Sequence, residues 1–69
     1  MKGGVNMNEY AEYILREIEF GIENRDDFDF KVRVQLYDKV SGMLHFASVM
    51  NLIDKDTFTV LNHESIKIL

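Results

Sequence analysis

Two histidines, His45 and His63, and two groups of carboxylates, Asp26-Asp27-Asp29 and Asp54-Asp56, are the side chains whose types could do chemistry. An imidazole can act as a general base or bind zinc, and clustered carboxylates can hold calcium or share a catalytic proton. The spacing speaks against each role. The histidines are neither four residues apart nor part of an HExxH pattern, so no helical turn would bring them onto one metal ion. A calcium loop needs oxygen ligands at fixed intervals around a central glycine, and DKDTFTVLNHE, from Asp54 to Glu64, lacks that glycine and most of the ligands. With no cysteine there is no thiolate zinc site, cysteine nucleophile or disulfide. There is also no Gly-rich phosphate loop, no GxSxG and no nucleophile beside a base. The expectation is a non-enzymatic protein with no catalytic residue, no cofactor and no metal. His45 is expected at the solvent edge of a helix, His63 beside Glu64 on the surface, and the aspartates as helix caps.

The elements that carry these residues follow from hydrophobic periodicity. Between Asn8 and Asn24, Tyr10, Ala11, Ile14, Leu15, Ile18, Gly21 and Ile22 cluster on one side of a helix, and the glutamates lie mainly opposite. Asn8 suits the N-cap, Glu9 suits the positive end of the helix dipole, and Asn24 is expected to end the helix in a left-handed conformation. Tyr13 and Phe20 fall off the main stripe on one edge, where they widen the buried face or mark a second contact. Upstream, residues 1–7 read as a flexible lead-in to a single helical domain over residues 8–69, with Met7 a second candidate start. They lack the basic and apolar segments of a secretory signal, and no window approaches the roughly 20 apolar residues that span a bilayer, so a cytoplasmic location is expected.

The stretch FDFKVRVQLYDK, Phe28 to Lys39, alternates like a strand. On a helical count, however, Val32, Leu36, Tyr37, Val40, Met43, Leu44, Ala47 and Met50 form one continuous stripe that crosses the supposed strand end. A strand stopping at Tyr37 would also need a turn, and Asp38-Lys39-Val40-Ser41 offers no Gly, Pro or Asn. A helix from about Asp29 to Ile53 is therefore favoured, capped by Asp26 or Asp27, with Phe28 and Phe30 near the connection. Arg33 sits inside its stripe and has to snorkel. Gly42, mid-helix, is expected where a neighbouring helix comes close. Phe46, Val49 and Ile53 project from a second side that is too apolar to face water comfortably.

In the tail, Asp54 or Asp56 would cap a third helix with Phe58, Leu61, Ser65 and Ile68 on one face. The competing reading pairs TFTVL and IKIL as a hairpin, which alone is marginally stable. The expected fold is thus all-α, a small three-helix domain with a long central helix, against an α+β alternative with a strand at 28–36 and a C-terminal hairpin. At 69 residues a lone core is marginal, and without cysteine the compensation left is self-association. A dimer is expected through Phe46, Val49 and Ile53, with Tyr13 and Phe20 as further contacts.

Charge is the remaining signal. Residues 9–29 hold eight acids against Arg16 and Arg25, a balance of −6 within a total of −4. Glu9, Glu12, Glu19 and Glu23 share the helix face opposite the apolar stripe, continued by Asp26 and Asp27. Such a face keeps a small protein soluble, or docks onto a basic protein partner. Direct nucleic-acid binding is disfavoured, because Lys31, Arg33 and Lys39 are a thin basic patch, and a helix-turn-helix across Ile53 to Lys55 would read with a segment holding one lysine. In size, lack of catalytic motifs and acidity the chain is similar in general style to small accessory proteins of phages and mobile elements, a likeness of composition that rests on no motif. The reading is a protein–protein interaction module, an adaptor or regulator. The alternatives are an acidic inhibitor that mimics nucleic acid and, more weakly, a DNA-binding regulator.

Overall fold

The computed structural model describes residues 7–69 and turns FDFKVRVQLYDK into a helix with an extended entry. Phe28 (φ −102°, ψ 137°) and Asp29 (φ −73°, ψ 171°) are extended, and helix α2 then runs from Phe30 to Val49. Before it, α1 spans Glu9–Glu23 and a single 3-10 turn spans Arg25–Asp27; after it, α3 spans Lys55–Ser65 and ends in a 3-10 turn over Ile66–Ile68. No strand occurs among the described residues, so the fold is all-α with a long central helix, and the tail is helical. The lead-in expected over residues 1–7 lies outside the described residues except for Met7, which packs half-buried against the core.

Each helix starts on a side-chain acceptor that takes one of the N–H groups left free at a helix end. The Asn8 Oδ1 accepts from the Ala11 N–H (2.9 Å), the Asp29 Oδ1 from Val32 (3.0 Å) and the Asp54 Oδ1 from Thr57 (2.8 Å). Asn8 also donates through Nδ2 to the Leu52 carbonyl at 2.7 Å, which ties the start of α1 to the connection between α2 and α3. The cap of α2 is Asp29 rather than Asp26 or Asp27, because those two lie inside the preceding 3-10 turn.

The helix ends depart further from expectation. Asn24 is not left-handed (φ −104°); its Nδ2 donates to the Phe20 carbonyl at 2.8 Å instead. The left-handed asparagine is Asn51 (φ 60°), and it closes α2 four residues short of Ile53. Leu52 N–H reaches back to Ala47 O (2.8 Å) and Asn51 N–H to Ser48 O (3.1 Å), the paired bonds of a Schellman end. The chain then turns so that Ile53 enters the core and Asp54 can cap α3.

Ala11, Ile14 and Ile18 of α1, Val40, Leu44 and Ala47 of α2, and Ile53, Leu61 and Ile68 form that core. At about 1.5–3 kcal/mol for each large aliphatic side chain fully withdrawn from water, this cluster supplies most of the drive for folding. Phe58 packs against it, and Leu61, Ser65 and Ile68 lie within it, as the helical reading of the tail requires. The two buried hydroxyls have partners: Thr57 bonds Asp54, and the Ser65 Oγ donates to Asn62 O at 2.7 Å. α1 is tightly packed at Gly21, where a Cβ would stand 2.6 Å from Leu36 Cδ2 and 3.1 Å from Ile68 Cγ1. Gly42, expected to play that part, lies exposed with nothing within 4 Å of a Cβ. Tyr10, Val32 and Met50, expected within the apolar stripes, are exposed, since each sits on the rim of its helix's apolar arc.

Candidate interaction surface

Five of the exposed large apolar side chains, Tyr10, Tyr13, Phe46, Val49 and Met50, gather where α1 begins and α2 ends, whereas Phe20, Phe30, Val32, Val60, Ile66 and Leu69 are exposed elsewhere. Tyr10, Tyr13 and Ile14 of α1, with Met43, Phe46 and Ala47 of α2 and Leu52 after it, line an open groove of about 420 Å³, with Glu9 at its rim. Tyr10, Tyr13 and Phe46 are each more than half exposed, so the groove is walled by three aromatic rings over an aliphatic floor. Val49 and Met50 stand beside it on the same end of α2, also more than half exposed. Antiparallel packing of α1 on α2 produces this arrangement, because it sets residues 10–14 of one against 43–47 of the other.

Of the residues expected to mediate self-association, Tyr13 and Phe46 meet in the groove, and Val49 flanks it. Ile53 is 5% exposed and belongs to the monomer's own core, since the helix that would have presented it ends earlier. Phe20 lies at the far end of α1, its ring centroid 5.9 Å from that of Phe28. Tyr10 and Met50 are the contributors that helical periodicity hid: both satisfy an apolar stripe on a helical wheel, and only tertiary packing decides how wide a stripe is covered. A signal for the second was present in the chain, because the run from Val40 to Ile53 contains no Asp, Glu, Lys or Arg.

The acidic residues lie on the side of α1 away from its buried stripe, with Glu9 adjoining the groove. Glu9, Glu12, Glu19 and Glu23 are exposed along the outer face of α1, and Asp26 and Asp27 extend them into the following turn. Glu12 lies 3.6 Å from Arg16, a solvent-exposed pair of small energetic weight. Glu17 is off this face and reaches Lys39 of α2 at 3.3 Å. The basic residues of α2 are largely engaged: Lys39 in that pair, and Arg33 through a 3.0 Å hydrogen bond to Leu69 O and a 5.7 Å approach to the Phe30 ring. Arg33 is half-buried, as snorkelling along the stripe demands.

His45 and His63 are both exposed, and Glu64 pairs with Lys67 (2.9 Å) rather than with His63. No three His, Cys, Asp or Glu among the described residues converge as metal ligands. Hydrogen bonds from the Thr57 side chain and backbone hold the Asp54 carboxyl below the ordinary value of 3.8. That is the signature of an N-cap, whose acceptor role favours the ionised form. Among the described residues no helix is long and apolar enough to cross a membrane. Comparison with protein-family models, curated proteins and solved structures finds no match to the chain.

Proposed function

We propose that the chain is a non-enzymatic protein–protein interaction module, a cytoplasmic adaptor or regulator of the kind that small phage and mobile-element accessory proteins represent, and that it works through the Tyr10–Tyr13–Phe46 groove. The observation that carries this reading is the clustering of half-exposed aromatic rings in one groove with Val49 and Met50 beside it. Scattered apolar residues are normal on any surface, whereas a contiguous patch rimmed by polar groups marks a contact site. Aromatic anchors of this type dominate binding energetics when a partner dries them.

Phe46→Ser tests the proposal, because the side chain is 59% exposed and its loss leaves the core untouched. A tagged wild-type chain is expected to hold a companion in fixed stoichiometry, either itself or another protein. Phe46→Ser is expected to release that companion with an unchanged helical circular-dichroism spectrum. No companion in either chain, or one retained by the variant at the same stoichiometry, overturns the reading.

The exposed acidic face of α1 favours the second reading, an inhibitor that presents carboxylates in place of phosphates to a basic groove. Glu12→Lys, Glu19→Lys and Glu23→Lys together leave the fold intact and abolish partner binding under that reading. Under the groove reading they change its salt dependence and leave the complex formed.

A further inference from the structure

We infer that the C-terminal half of the outer face of α2, which carries no charge from Val40 onward, pairs with the same face of a second copy of the chain. The two α2 helices would lie antiparallel across a two-fold axis, with Val49 of each copy seated over Gly42 of the other. The inference rests on the reading of the Phe46 face as a contact surface, and it adds the occupant and the geometry.

Gly42 provides the first observation. Glycine in a helix interior is disfavoured by the backbone freedom it loses, and a structure normally offers a reason for it. Inside the monomer there is none: a side chain would meet nothing within 4 Å, and the residue sits in the regular helix Phe30–Val49 rather than at a positive φ. A gap on an outer helix face has a use when another helix must approach that face or insert a side chain into it. Gly42, Phe46 and Val49 stand at i, i+4 and i+7, so the gap and the apolar knobs share one face.

The second observation is the charge pattern. The chain is 29% charged, yet from Val40 to Ile53 no Asp, Glu, Lys or Arg interrupts the sequence, and His45 is the one titratable side chain within it. Depletion of charge is the compositional mark of an interface centre. It also selects the occupant. A second copy meets the stretch from Val40 to Val49 with one equally neutral, whereas self-pairing through the outer face of α1 would set glutamate against glutamate.

The third observation is size. Phe46, Val49 and Met50 are each more than half exposed, and Tyr10 and Tyr13 adjoin them. Together they offer roughly 500 Å² per copy, against about 800 Å² per partner in a standard stable interface, and Gly42, His45 and the polar rim can supply the rest. In an antiparallel pair related by a two-fold, the numbers of facing residues add to a constant. An axis beside His45 and Phe46 brings Val49 over the partner's Gly42 in both directions at once, and sets each Phe46 beside the partner's His45. About one turn from the crossing the glycine leaves room for the partner's Val49, while His45 and Phe46 set the interaxial distance at the axis itself, since that distance follows side-chain size.

The test combines mass with chemistry. Light scattering over a concentration series is expected to show a wild-type dimer. Gly42→Leu, which fills the gap, is expected to raise the dimer dissociation constant at least tenfold while raising the thermal midpoint of the dilute monomer. Because the chain has no cysteine, Gly42→Cys and Val49→Cys chains can be mixed and oxidised. A covalent dimer is expected from the mixture and not from either variant alone, since identical positions lie about two helical turns apart across the axis. A wild-type chain that stays monomeric at every concentration overturns the inference but leaves the contact-surface reading to the Phe46→Ser experiment with other proteins. A dimer that ignores Gly42→Leu and gives no 42–49 cross-link overturns it as well, by placing the interface elsewhere.

Discussion

Gly21 and Gly42 are both helix-interior glycines, and the structure treats them oppositely. Gly21 is buried at the seam of α1 with α2, and even a methyl group there would press on Leu36 and Ile68. Gly42 faces outward into open space. The helix gives up similar backbone entropy at each position, but only at Gly21 does the monomer use the room that results. The same division separates the two outer faces: α1 covers its solvent side with glutamate, while the last half of α2 carries no fixed charge. One region is finished by folding; the other is consistent with a surface completed by association.

Substitution at Gly21 should have the largest effect. Gly21→Leu forces a branched side chain into a filled seam and is expected to cost about 3 kcal/mol, read as a lower urea midpoint, which is a large share of the stability available to a domain this small. A midpoint equal to that of wild type would show that the seam opens freely. Gly21→Ala should cost less, because its new methyl gains helix propensity while meeting Leu36 Cδ2 at 2.6 Å. Leu36→Val removes that atom. In the Leu36→Val background the cost of Gly21→Ala should therefore fall by at least about 0.5 kcal/mol, and strictly additive effects would mean that Leu36 is not what excludes a side chain. Gly42→Ala should go the other way, stabilising the dilute chain by about 0.5–1 kcal/mol, since propensity improves and nothing is displaced. A loss there would show that the monomer does need this glycine, and the contrast between the two positions would vanish.

How much of this was legible in the sequence depended on whether local chemistry or tertiary contact decided the outcome. The Asn8 cap, the Asp54 cap and the Phe58–Leu61–Ser65–Ile68 face are local, and each follows from residue type and spacing. FDFKVRVQLYDK is helical beyond its extended entry, as its spacing predicts, because the apolar stripe runs on past Tyr37 and no turn residue interrupts it. The two glycines differ in register, Gly21 falling within the apolar stripe of α1 and Gly42 outside that of α2, but spacing does not show what stands opposite a glycine: Leu36 and Ile68 close on Gly21, and nothing closes on Gly42. The left-handed conformation expected at Asn24 occurs at Asn51 instead: asparagine tolerates φ > 0 in either place, and at Asn51 the chain turns so that Leu52 and Ile53 fold back toward the core. Since Ile53 depends on that turn, its assignment to an exposed contact face failed with it, while Tyr13, Phe46 and Val49 remained at the surface.

The smallest expected effect concerns the element that delivers Ile68 to Gly21. α3 begins at Asp54, whose carboxylate accepts hydrogen bonds from Thr57, and its following 3-10 turn carries Ile68 into the seam. Because those bonds lower the folded-state pKa of Asp54 below 3.8, its carboxyl binds fewer protons in the folded chain than in the unfolded one over that window. The cap's contribution is therefore fully present above the ordinary value and is lost as pH falls through the lower, folded value. Asp54→Asn keeps a capping acceptor but removes the titration. The difference in urea midpoint between wild type and this variant should stay constant from neutral pH to about pH 5 and shift against the wild type below about pH 4, with the other carboxylates common to both chains. A difference that does not change down to pH 2 would mean that Thr57 does not favour the ionised carboxylate. The start of α3 would then owe nothing to charge, and the seam at Gly21 would be held by packing alone.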